Sequence, residues 1–382
     1  MLIGLLKETL PGERRVALVP AQLALLAKQR HVVLVERGAG VAAGYADAEY
    51  EAAGARMVVR TEVFAGAEIL VAVRGSALAA PEAAGDFAQL RATQMLIGLC
   101  EPLAQPAGIQ RLAATGATVF ALELLPRTSR AQAMDALSSM ANLTGYKAVL
   151  MAASQVPRIL PMMTTAAGTL TAARVLVLGA GVAGLQAIAT AKRLGAVVDG
   201  YDIRPEVAEQ IASVGGKFVD LGLSAEADKG GYAREQSADF VARQQEALAQ
   251  FVRAADIVIT TAQVPGRRAP VLITAAMQKG MKPGSVVVDL AAESGGNCEL
   301  TRCGENAVVD GVTMMGPVNL ISELAFHASQ LYSRNIVNFI LNLTTREGRL
   351  ADKENDDIVR ETRAARGGEV CSERVRQALG SN

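Results

Sequence analysis

A glycine-rich turn between a short apolar strand and a helix constrains this chain more than any other feature. The strand is predicted over residues 174–178, the turn reads GAGVAG, and a strongly helical segment follows. In such a GxGxxG turn the first glycine permits the tight bend, the second lets the backbone approach a pyrophosphate, and the third allows close packing of helix on strand. The helix N-terminus offers N–H groups to phosphate. The motif therefore predicts a dinucleotide site at Gly179, Gly181, Val182, Ala183 and Gly184.

An acidic residue follows the next predicted strand, which covers residues 196–201. Asp202 lies 18 residues beyond Gly184, where a carboxylate accepts hydrogen bonds from the adenosine ribose hydroxyls. A 2′-phosphate at that position would be repelled, although Arg204 softens this preference. We predict that the site prefers NAD to NADP and that Asp202, Ile203 and Arg204 lie beside the ribose.

A second glycine-rich loop follows the strand HVVLVE and contains Gly38, Gly40 and Gly44. Its spacing is GxGxxxG, and the next helical segment begins too late for Gly40 to cap it. We interpret this loop as a turn that does not bind phosphate.

Short apolar runs alternate with helical patterns along most of the chain, which is typical of α/β proteins with parallel sheets. We predict two doubly wound, Rossmann-like domains. The first covers residues 1–137 and is completed by 325–382. The nucleotide-binding domain, 138–324, is inserted in it, and long helices join the two, one beginning near Ser129 and ending about Gln155. The charged, weakly periodic segment from Arg346 is predicted to be a surface appendage or partly disordered tail.

Composition excludes several other classes of function. Lys and Arg together number 38, as do Asp and Glu, so no net charge favours nucleic acid or an anionic membrane surface. No apolar run is long enough to cross a bilayer, and no signal-type segment starts the chain. The four cysteines have no CxxC spacing and the two histidines are far apart, so we expect no metal site. These observations favour a cytoplasmic protein without direct membrane insertion.

A segment dense in polar residues, 125–139, lies between the two predicted domains, and ligands often bind between domains. A purely structural interpretation also fits it. Ser129 and Gln132 form a capping box, Asp135 complements the helix dipole, and Arg127 is solvated.

Several long motifs resemble the NAD(H)-binding component of proton-translocating nicotinamide nucleotide transhydrogenases, which belongs to the alanine dehydrogenase/transhydrogenase superfamily. The resemblance covers nearly the whole chain up to about Leu343. It includes the Arg-Gln-Asp loop of that family. The motifs are KETLPGERRVAL, LPRTSRAQAMDALSSMANLTGYKA, the glycine-rich turn, GGYA at 230–233, ITTAQVPGRRAPVLI and VVVDLAAESGGNC.

This resemblance implies a role for each matching residue. Arg127 and Asp135 orient the nicotinamide end of the nucleotide together with Ser138, and Gln132 bridges to the nucleotide of a partner. Tyr232 belongs to a mobile loop that closes over bound nucleotide. Three more residues, at the carboxyl end of a strand, face the ligand: Thr261, Ala262 and Gln263.

The resemblance also implies an assembly. NAD(H) binds to this chain, NADP(H) binds to a partner subunit, and a membrane-spanning subunit couples hydride transfer to proton movement. The chain forms a homodimer, with a hairpin at residues 160–173 embracing the other protomer. Localisation is then cytoplasmic and peripheral to the inner membrane, through the partner subunits.

Two alternatives remain open at this point. An alanine dehydrogenase-like enzyme has a similar architecture, but its substrate-binding Lys, catalytic His and catalytic Asp are matched here by Arg74, Leu99 and Glu293, and only Arg15 is retained. Leucine cannot accept a proton, which argues against that chemistry. A catalytically silent NAD sensor is the second alternative, although it has little use for polar groups aimed at the reacting ring.

Overall fold

The computed structural model describes residues 1–223 and 237–380, apart from the side chains of residues 82 and 84. The chain divides into two compact units, one formed by residues 1–140 and 321–382 and the other by 141–320. The second unit is thus inserted in the first. The division falls after Met140 and Leu320, whereas the sequence prediction places it after 137 and 324.

The first unit contains, among the described residues, one sheet of eight strands. The strands are β1 (Leu2–Leu5), β2 (Val32–Glu36), β3 (Arg56–Val58), β4 (Ile69–Arg74), β5 (Met95–Leu99), β6 (Thr118–Ala121), β16 (Arg363–Arg366) and β17 (Glu369–Val370). Their order across the sheet is β17-β16-β6-β5-β4-β1-β2-β3. Strands β1 to β6 are mutually parallel. Successive strands run outward in one direction from β1 and in the other from β4, as in a doubly wound sheet.

Helices connect these strands and cover the sheet of the first unit. The helices are α1 (Pro20–Lys28), α2 (Asp47–Ala52), α3 (Arg60–Gly66), α4 (Ala84–Phe87), α5 (Pro106–Ala114), α11 (Ala325–Leu343), α12 (Asp357–Thr362) and α13 (Glu373–Gly380). Helix α6 (Ala136–Gln155) begins in this unit, but its residues from 141 onward belong to the second unit, and Ala148, Val149 and Ala152 are buried in a core cluster there. Apolar side chains from the strands and from α5 and α13 form one core cluster there.

The prediction of an appended or disordered tail is wrong. Strand β16 pairs antiparallel with β6, with Ala365 opposite Val119. Ala364, Ala365 and Val375 are fully buried. The charged residues of this segment lie between these apolar ones, and burial of the apolar ones attaches the segment to the sheet.

The second unit contains a sheet of seven described strands. They are β9 (Arg174–Leu178), β10 (Val197–Tyr201), β11 (Lys217–Phe218), β12 (Ile257–Thr260), β13 (Val286–Asp289), β14 (Asn306–Val309) and β15 (Val312–Met315). Their order is β11-β10-β9-β12-β13-β15-β14, and only β14 is antiparallel among them. Alternate residues of the central strand β9 enter opposite core clusters, Val175 and Val177 on one face and Leu176 and Leu178 on the other. Burial on both faces is why residues 175–178 of this strand are all apolar.

A small hairpin, separate from this sheet, precedes β9, so the hairpin prediction for residues 160–173 is confirmed. Its strands, β7 (Met163–Thr165) and β8 (Gly168–Leu170), pair antiparallel and are exposed throughout. The remaining helices of the second unit are α7 (Val182–Arg193), α8 (Ala208–Ser213), α9 (Ala238–Ala254) and α10 (Ala275–Lys279).

Candidate functional site

The glycine-rich turn lies at the switch point of the second unit, between the carboxyl ends of β9 and β12. Gly179 has a φ of +97°, and a Cβ there would lie 2.7 Å from Thr261 Oγ1. A Cβ on Gly184 would lie 1.8 Å from the carbonyl oxygen of Gly179. A side chain fits at neither position. Gly181, in contrast, is exposed and faces open space, which leaves its backbone accessible to a ligand.

Helix α7 begins directly after Gly181, with Val182 exposed and Ala183 half-buried. The first N–H groups of a helix have no partner within it, so this end is suited to bind phosphate. Gly145 in α6 permits close packing here, because a Cβ on it would lie 2.0 Å from the carbonyl oxygen of Ala183. The sequence places Gly145 inside a long predicted helix and gives no sign of this contact.

Asp202 follows β10 and is 8% exposed. Its carboxylate is already engaged: Oδ2 accepts from the Ala180 backbone N–H at 2.8 Å. Oδ1 accepts from the Arg204 backbone N–H at 3.0 Å and from Nε at 2.9 Å. The Arg204 side chain also donates to Oδ2 from Nη2 at 3.0 Å. Asp202 therefore holds the glycine turn, and its charge is largely balanced by Arg204.

A cavity of about 260 Å³ opens beside Asp202 at the carboxyl ends of β10 and β11. Its lining is mainly apolar with two carboxylates, a surface that suits an adenosine group. Ile203 belongs to it. The lining residues are Tyr201, Asp202, Ile203, Pro205, Phe218, Val219, Asp220, Leu221, Gly222 and Leu223.

The segment after β12 lies against the glycine turn. Thr261 Oγ1 donates to the Gly179 carbonyl oxygen at 3.0 Å. The Ala262 N–H donates to Asn297 Oδ1 at 3.0 Å. Gln263 Nε2 donates to the Leu290 carbonyl oxygen at 2.9 Å. Thr261 and Ala262 thus contact the turn, whereas the Gln263 amide is directed to the backbone after β13.

The Arg127–Ser138 residues belong to the first unit. The predicted start of the long helix near Ser129 is wrong: residues Gln132–Met134 form a single 3₁₀ turn and α6 begins at Ala136. Asp135 caps it instead. Its Oδ1 accepts from the Ser138 N–H at 2.9 Å and its Oδ2 from the Ser138 hydroxyl at 2.5 Å.

The four polar residues of this segment differ in exposure. Arg127 and Gln132 are exposed, whereas Asp135 and Ser138 are half-buried and bound to each other. The turn that carries Gln132 is anchored, because the Ala133 carbonyl oxygen accepts from two asparagines of α11, Asn335 and Asn338, at 3.0 Å each.

The structure therefore brings Gly179, Gly184, Asp202, Thr261 and Ala262 together in the second unit. The Arg127–Ser138 group forms a separate set in the first. Tyr232, with the predicted mobile loop around it, lies outside the described residues.

The other glycine loop packs against a tyrosine. A Cβ on Gly40 would lie 2.6 Å from the Tyr50 ring. Gly40 directly precedes a single 3₁₀ turn, Val41–Ala43, which the sequence did not predict, and the next α-helix begins only at Asp47. Close packing accounts for this glycine.

A charged cluster occupies the switch point of the first unit, between β1 and β4. Arg15 Nη2 lies 2.6 Å from Glu13 Oε2, and both residues are buried. Arg74 lies 3.1 Å from the same Glu13 oxygen and 3.2 Å from Glu101 Oε1. Glu8 accepts from the Val73 and Arg74 N–H groups. The arginines here already have carboxylate partners within the chain.

Two of these carboxyls have shifted pKa values. Burial raises the pKa of Glu8, the hydrogen bonds from the Val73 and Arg74 N–H groups oppose the rise, and the nearby charge of Glu13 adds to it, so that the pKa is about 7. Burial acts in the same direction on Glu13, but its hydrogen bond to Arg15 and the charge of that residue lower the pKa to about 2.

Among residues 1–223 and 237–380, no helix combines the length and apolarity that crossing a bilayer requires. The same residues include no group of three or more His, Cys, Asp or Glu side chains placed to hold a metal ion.

The fold and the glycine turn define a class, that of two-domain Rossmann-like α/β proteins. Two family profiles then match the chain, "Alanine dehydrogenase/PNT, N-terminal domain" over residues 4–144 and "Alanine dehydrogenase/PNT, C-terminal domain" over 148–373. The chain therefore belongs to the alanine dehydrogenase/PNT family, whose members are nicotinamide-nucleotide-dependent oxidoreductases.

Within that family the chain is similar to transhydrogenase subunits. It is 41% identical to a Rickettsia prowazekii protein named as the first part of NAD(P) transhydrogenase subunit alpha, over 99% of this chain and 98% of the relative. It is 42% identical to the protein of the same name from Rhodospirillum rubrum, over 97% of each. A solved transhydrogenase structure from Sinorhizobium meliloti has a TM-score of 0.83 at 39% identity, covering 98% of this chain and 99% of that one.

Proposed function

We propose that this chain is the NAD(H)-binding component of a proton-translocating NAD(P) transhydrogenase. It holds NADH so that a hydride passes directly to NADP+ on a partner subunit. A separate membrane-spanning subunit couples this transfer to proton translocation. The observation that carries the proposal is the switch-point site of the second unit, in which a GxGxxG turn is bonded to Asp202 and packed against Thr261.

The residues of that unit fit a dinucleotide. The open backbone at Gly181 and the start of α7 would bind the pyrophosphate, with Val182 and Ala183 beside it. Asp202, Ile203 and Arg204 would hold the adenosine ribose, and the adjoining cavity has room for adenine. Asp202 can accept a ribose hydroxyl only by sharing oxygens that now bind Arg204, so we expect Arg204 to shift when nucleotide binds.

The Arg127–Ser138 group would position the nicotinamide end. The bonds from Ser138 fix the Asp135 carboxylate at the start of α6, so its orientation is set before ligand binds. Gln132 is exposed on an anchored turn, as expected for a residue that reaches a partner's nucleotide. When bound, the nucleotide supplies the hydride, so the protein needs no acid or base and contributes orientation and exclusion of water.

The proposed assembly follows from the relatives, because a protein named as the first part of a subunit alpha belongs with further subunits. An NADP(H)-binding subunit and a membrane-spanning subunit would hold this chain at the cytoplasmic face of the inner membrane. The exposed hairpin carries Met162, Met163 and Leu170 at its surface, which suits burial against a second protomer in a homodimer.

Alanine dehydrogenase activity is disfavoured by the charged cluster of the first unit. Arg15 and Arg74, which would have to bind a substrate carboxylate, already share Glu13. Leu99 is a buried apolar residue at the end of β5 and provides no proton acceptor. We expect no reduction of NAD+ by the chain with L-alanine between pH 6 and 10, and appreciable turnover would contradict this argument.

Titration of the full chain with NADH and with NADPH, followed by addition of an NADP(H)-binding component from a relative, tests the proposed function. NADH should bind the more tightly, and hydride transfer should appear only after the second component is added. Equal affinity for the two nucleotides, or no transfer in the reconstituted mixture, would contradict the proposal.

A further inference from the structure

A buried carboxylate without a cationic partner among the described residues ends β13. Asp289 is fully buried, and its two oxygens accept four hydrogen bonds. Oδ1 accepts from Thr260 Oγ1 at 2.9 Å and from the Ala291 N–H at 3.0 Å. Oδ2 accepts from the Asn297 N–H at 2.8 Å and from the Cys298 N–H at 3.0 Å. Asp289 therefore joins the end of β12 to the turn that follows β13.

Two glycines allow the turn after β13 to bend back toward the Asp289 carboxylate. Gly295 and Gly296 have φ values of +99° and +79°, in the left-handed region that favours glycine. A Cβ on Gly296 would lie 3.0 Å from Asp289 Oδ2. The double glycine thus allows Asn297 to reach the carboxylate.

The Asn297 side chain binds the backbone of the segment after β12. It bonds to both the N–H and the carbonyl group of one residue, as the backbone of a neighbouring β-strand would. It is fully buried. Oδ1 accepts from the Ala262 N–H at 3.0 Å, and Nδ2 donates to the Ala262 carbonyl oxygen at 2.8 Å. Nδ2 also donates to the Pro270 carbonyl oxygen at 2.8 Å. Every hydrogen-bonding atom of the amide is used, and both polar groups of the Ala262 backbone are held.

Ala262 in turn is packed on the glycine turn. A Cβ on Gly179 would lie 3.0 Å from the Ala262 nitrogen. The preceding residue, Thr261, binds the Leu178 carbonyl oxygen through its N–H at 2.8 Å and the Gly179 carbonyl oxygen through its hydroxyl. A displacement of Ala262 would therefore move the turn that precedes α7.

We propose that Asn297, held by Asp289, is a positioning residue for the pyrophosphate-binding turn. It does not bind the nucleotide; it fixes Ala262, and Ala262 with Thr261 fixes Gly179. This inference rests on the proposed function, because it assumes that the glycine turn binds NAD(H). Its specific consequence is that Asn297 governs binding of the pyrophosphate more than binding of the adenosine.

The test compares Asn297→Ala with a matched control, Gln278→Ala, in the full chain. Gln278 is also a fully buried amide of the second unit, but it donates to the Val309 carbonyl oxygen, away from the glycine turn. Thermal unfolding gives the stability of each variant, and titrations give Kd for NADH, ADP-ribose and adenosine. The last ligand lacks the pyrophosphate.

We expect Asn297→Ala to raise Kd for NADH and ADP-ribose about tenfold, the equivalent of one lost buried hydrogen bond. Adenosine binding should change less than about threefold, and the control should change no Kd although it lowers stability. If Asn297→Ala does not fold, Asn297→Ser serves instead, because its hydroxyl is too short to bridge Ala262 and Pro270.

Unchanged binding of NADH and ADP-ribose by a folded Asn297 variant would overturn the inference, as would equal weakening of all three ligands. Failure of the wild-type chain to bind NADH would instead contradict the proposed function, so the two failures are distinguishable.

Discussion

Replacing Asp202 by serine tests whether the charge of this residue makes the proposed site prefer NADH to NADPH. Two unit charges 4 Å apart interact by about 1 kcal/mol in water and about 4 kcal/mol at an effective dielectric constant of 20. Asp202 is 8% exposed, which favours the upper part of that range, but the Arg204 guanidinium 2.9 Å away offsets most of its charge. A net repulsion of about 1–2 kcal/mol toward a 2′-phosphate remains.

Asp202→Ser should therefore lower the ratio of the NADPH Kd to the NADH Kd by about fivefold to thirtyfold. The substitution removes the repulsion and also frees Arg204 to attract phosphate. NADH itself should bind more weakly, because the ribose and the Ala180 N–H both lose an acceptor. In the double variant Asp202→Ser with Arg204→Met, the ratio of the NADPH Kd to the NADH Kd should return part of the way to its wild-type value, because the arginine that attracts the 2′-phosphate is then also absent.

Fluorescence titrations at low and high salt measure these ratios, because the electrostatic part is screened by salt. Asp199→Ser is the matched control: Asp199 lies in β10, the strand that Asp202 follows, is similarly buried and pairs with Arg174 at 3.2 Å. The control should leave the ratio unchanged. An unchanged ratio in Asp202→Ser would refute the electrostatic argument.

Two further outcomes are expected. Gln132→Asn shortens an exposed side chain by one methylene, so NADH affinity should change little while single-turnover transfer to NADP+ falls by about a hundredfold; unchanged transfer, measured by stopped flow, would leave Gln132 as a structural residue of its turn. Glu8→Gln tests the raised pKa of about 7. Because this pKa lies above the ordinary value of 4.5, the wild type loses stability as the pH rises from 4.5 through about 7. The free energy of unfolding of the variant, measured by chemical unfolding, should therefore increase relative to that of the wild type by about 2–3 kcal/mol between pH 5 and 8. The exposed Glu51→Gln should show no such gain, and a flat difference for Glu8→Gln would exclude a raised pKa.

The parts of the fold that the sequence predicts well depend on neighbouring residues. Residues 175–178 are apolar because both faces of their strand are buried, and Gly179 and Gly181 lie within one turn of the helix that follows them. The period of the apolar residues and the spacing of the glycines therefore indicate the strand, the turn and the helix directly.

The sequence-based predictions are wrong where an element forms by pairing with a distant part of the chain, or where two local patterns compete. Strand β16 forms because it pairs with Val119 in β6, more than 200 residues earlier, so its own charged sequence gives no sign of it. At the start of α6, Ser129 and Gln132 have capping-box spacing, but Asp135 and Ser138 form the cap that the structure uses.

The sequence predicts the glycines and the acid of the proposed site, and these residues lie together in the structure, but it does not predict the residues that are bonded to them. Asn297 acts on Ala262, 35 residues earlier in the chain. The signal available was a double glycine followed by an amide, a few residues after the buried strand that ends in Asp289. Such a turn indicates a close return of the backbone, but not which segment the amide binds.

Isotope transfer tests the central claim most directly. The full chain, combined with an NADP(H)-binding component, would be given NADP+ and NADH deuterated at the transferable C4 position. Mass spectrometry would then follow the label. Direct transfer between two nicotinamides places the deuterium in NADPH with none released to water, and this is the expected result. Loss of the label to solvent, or no labelled NADPH, would contradict the account.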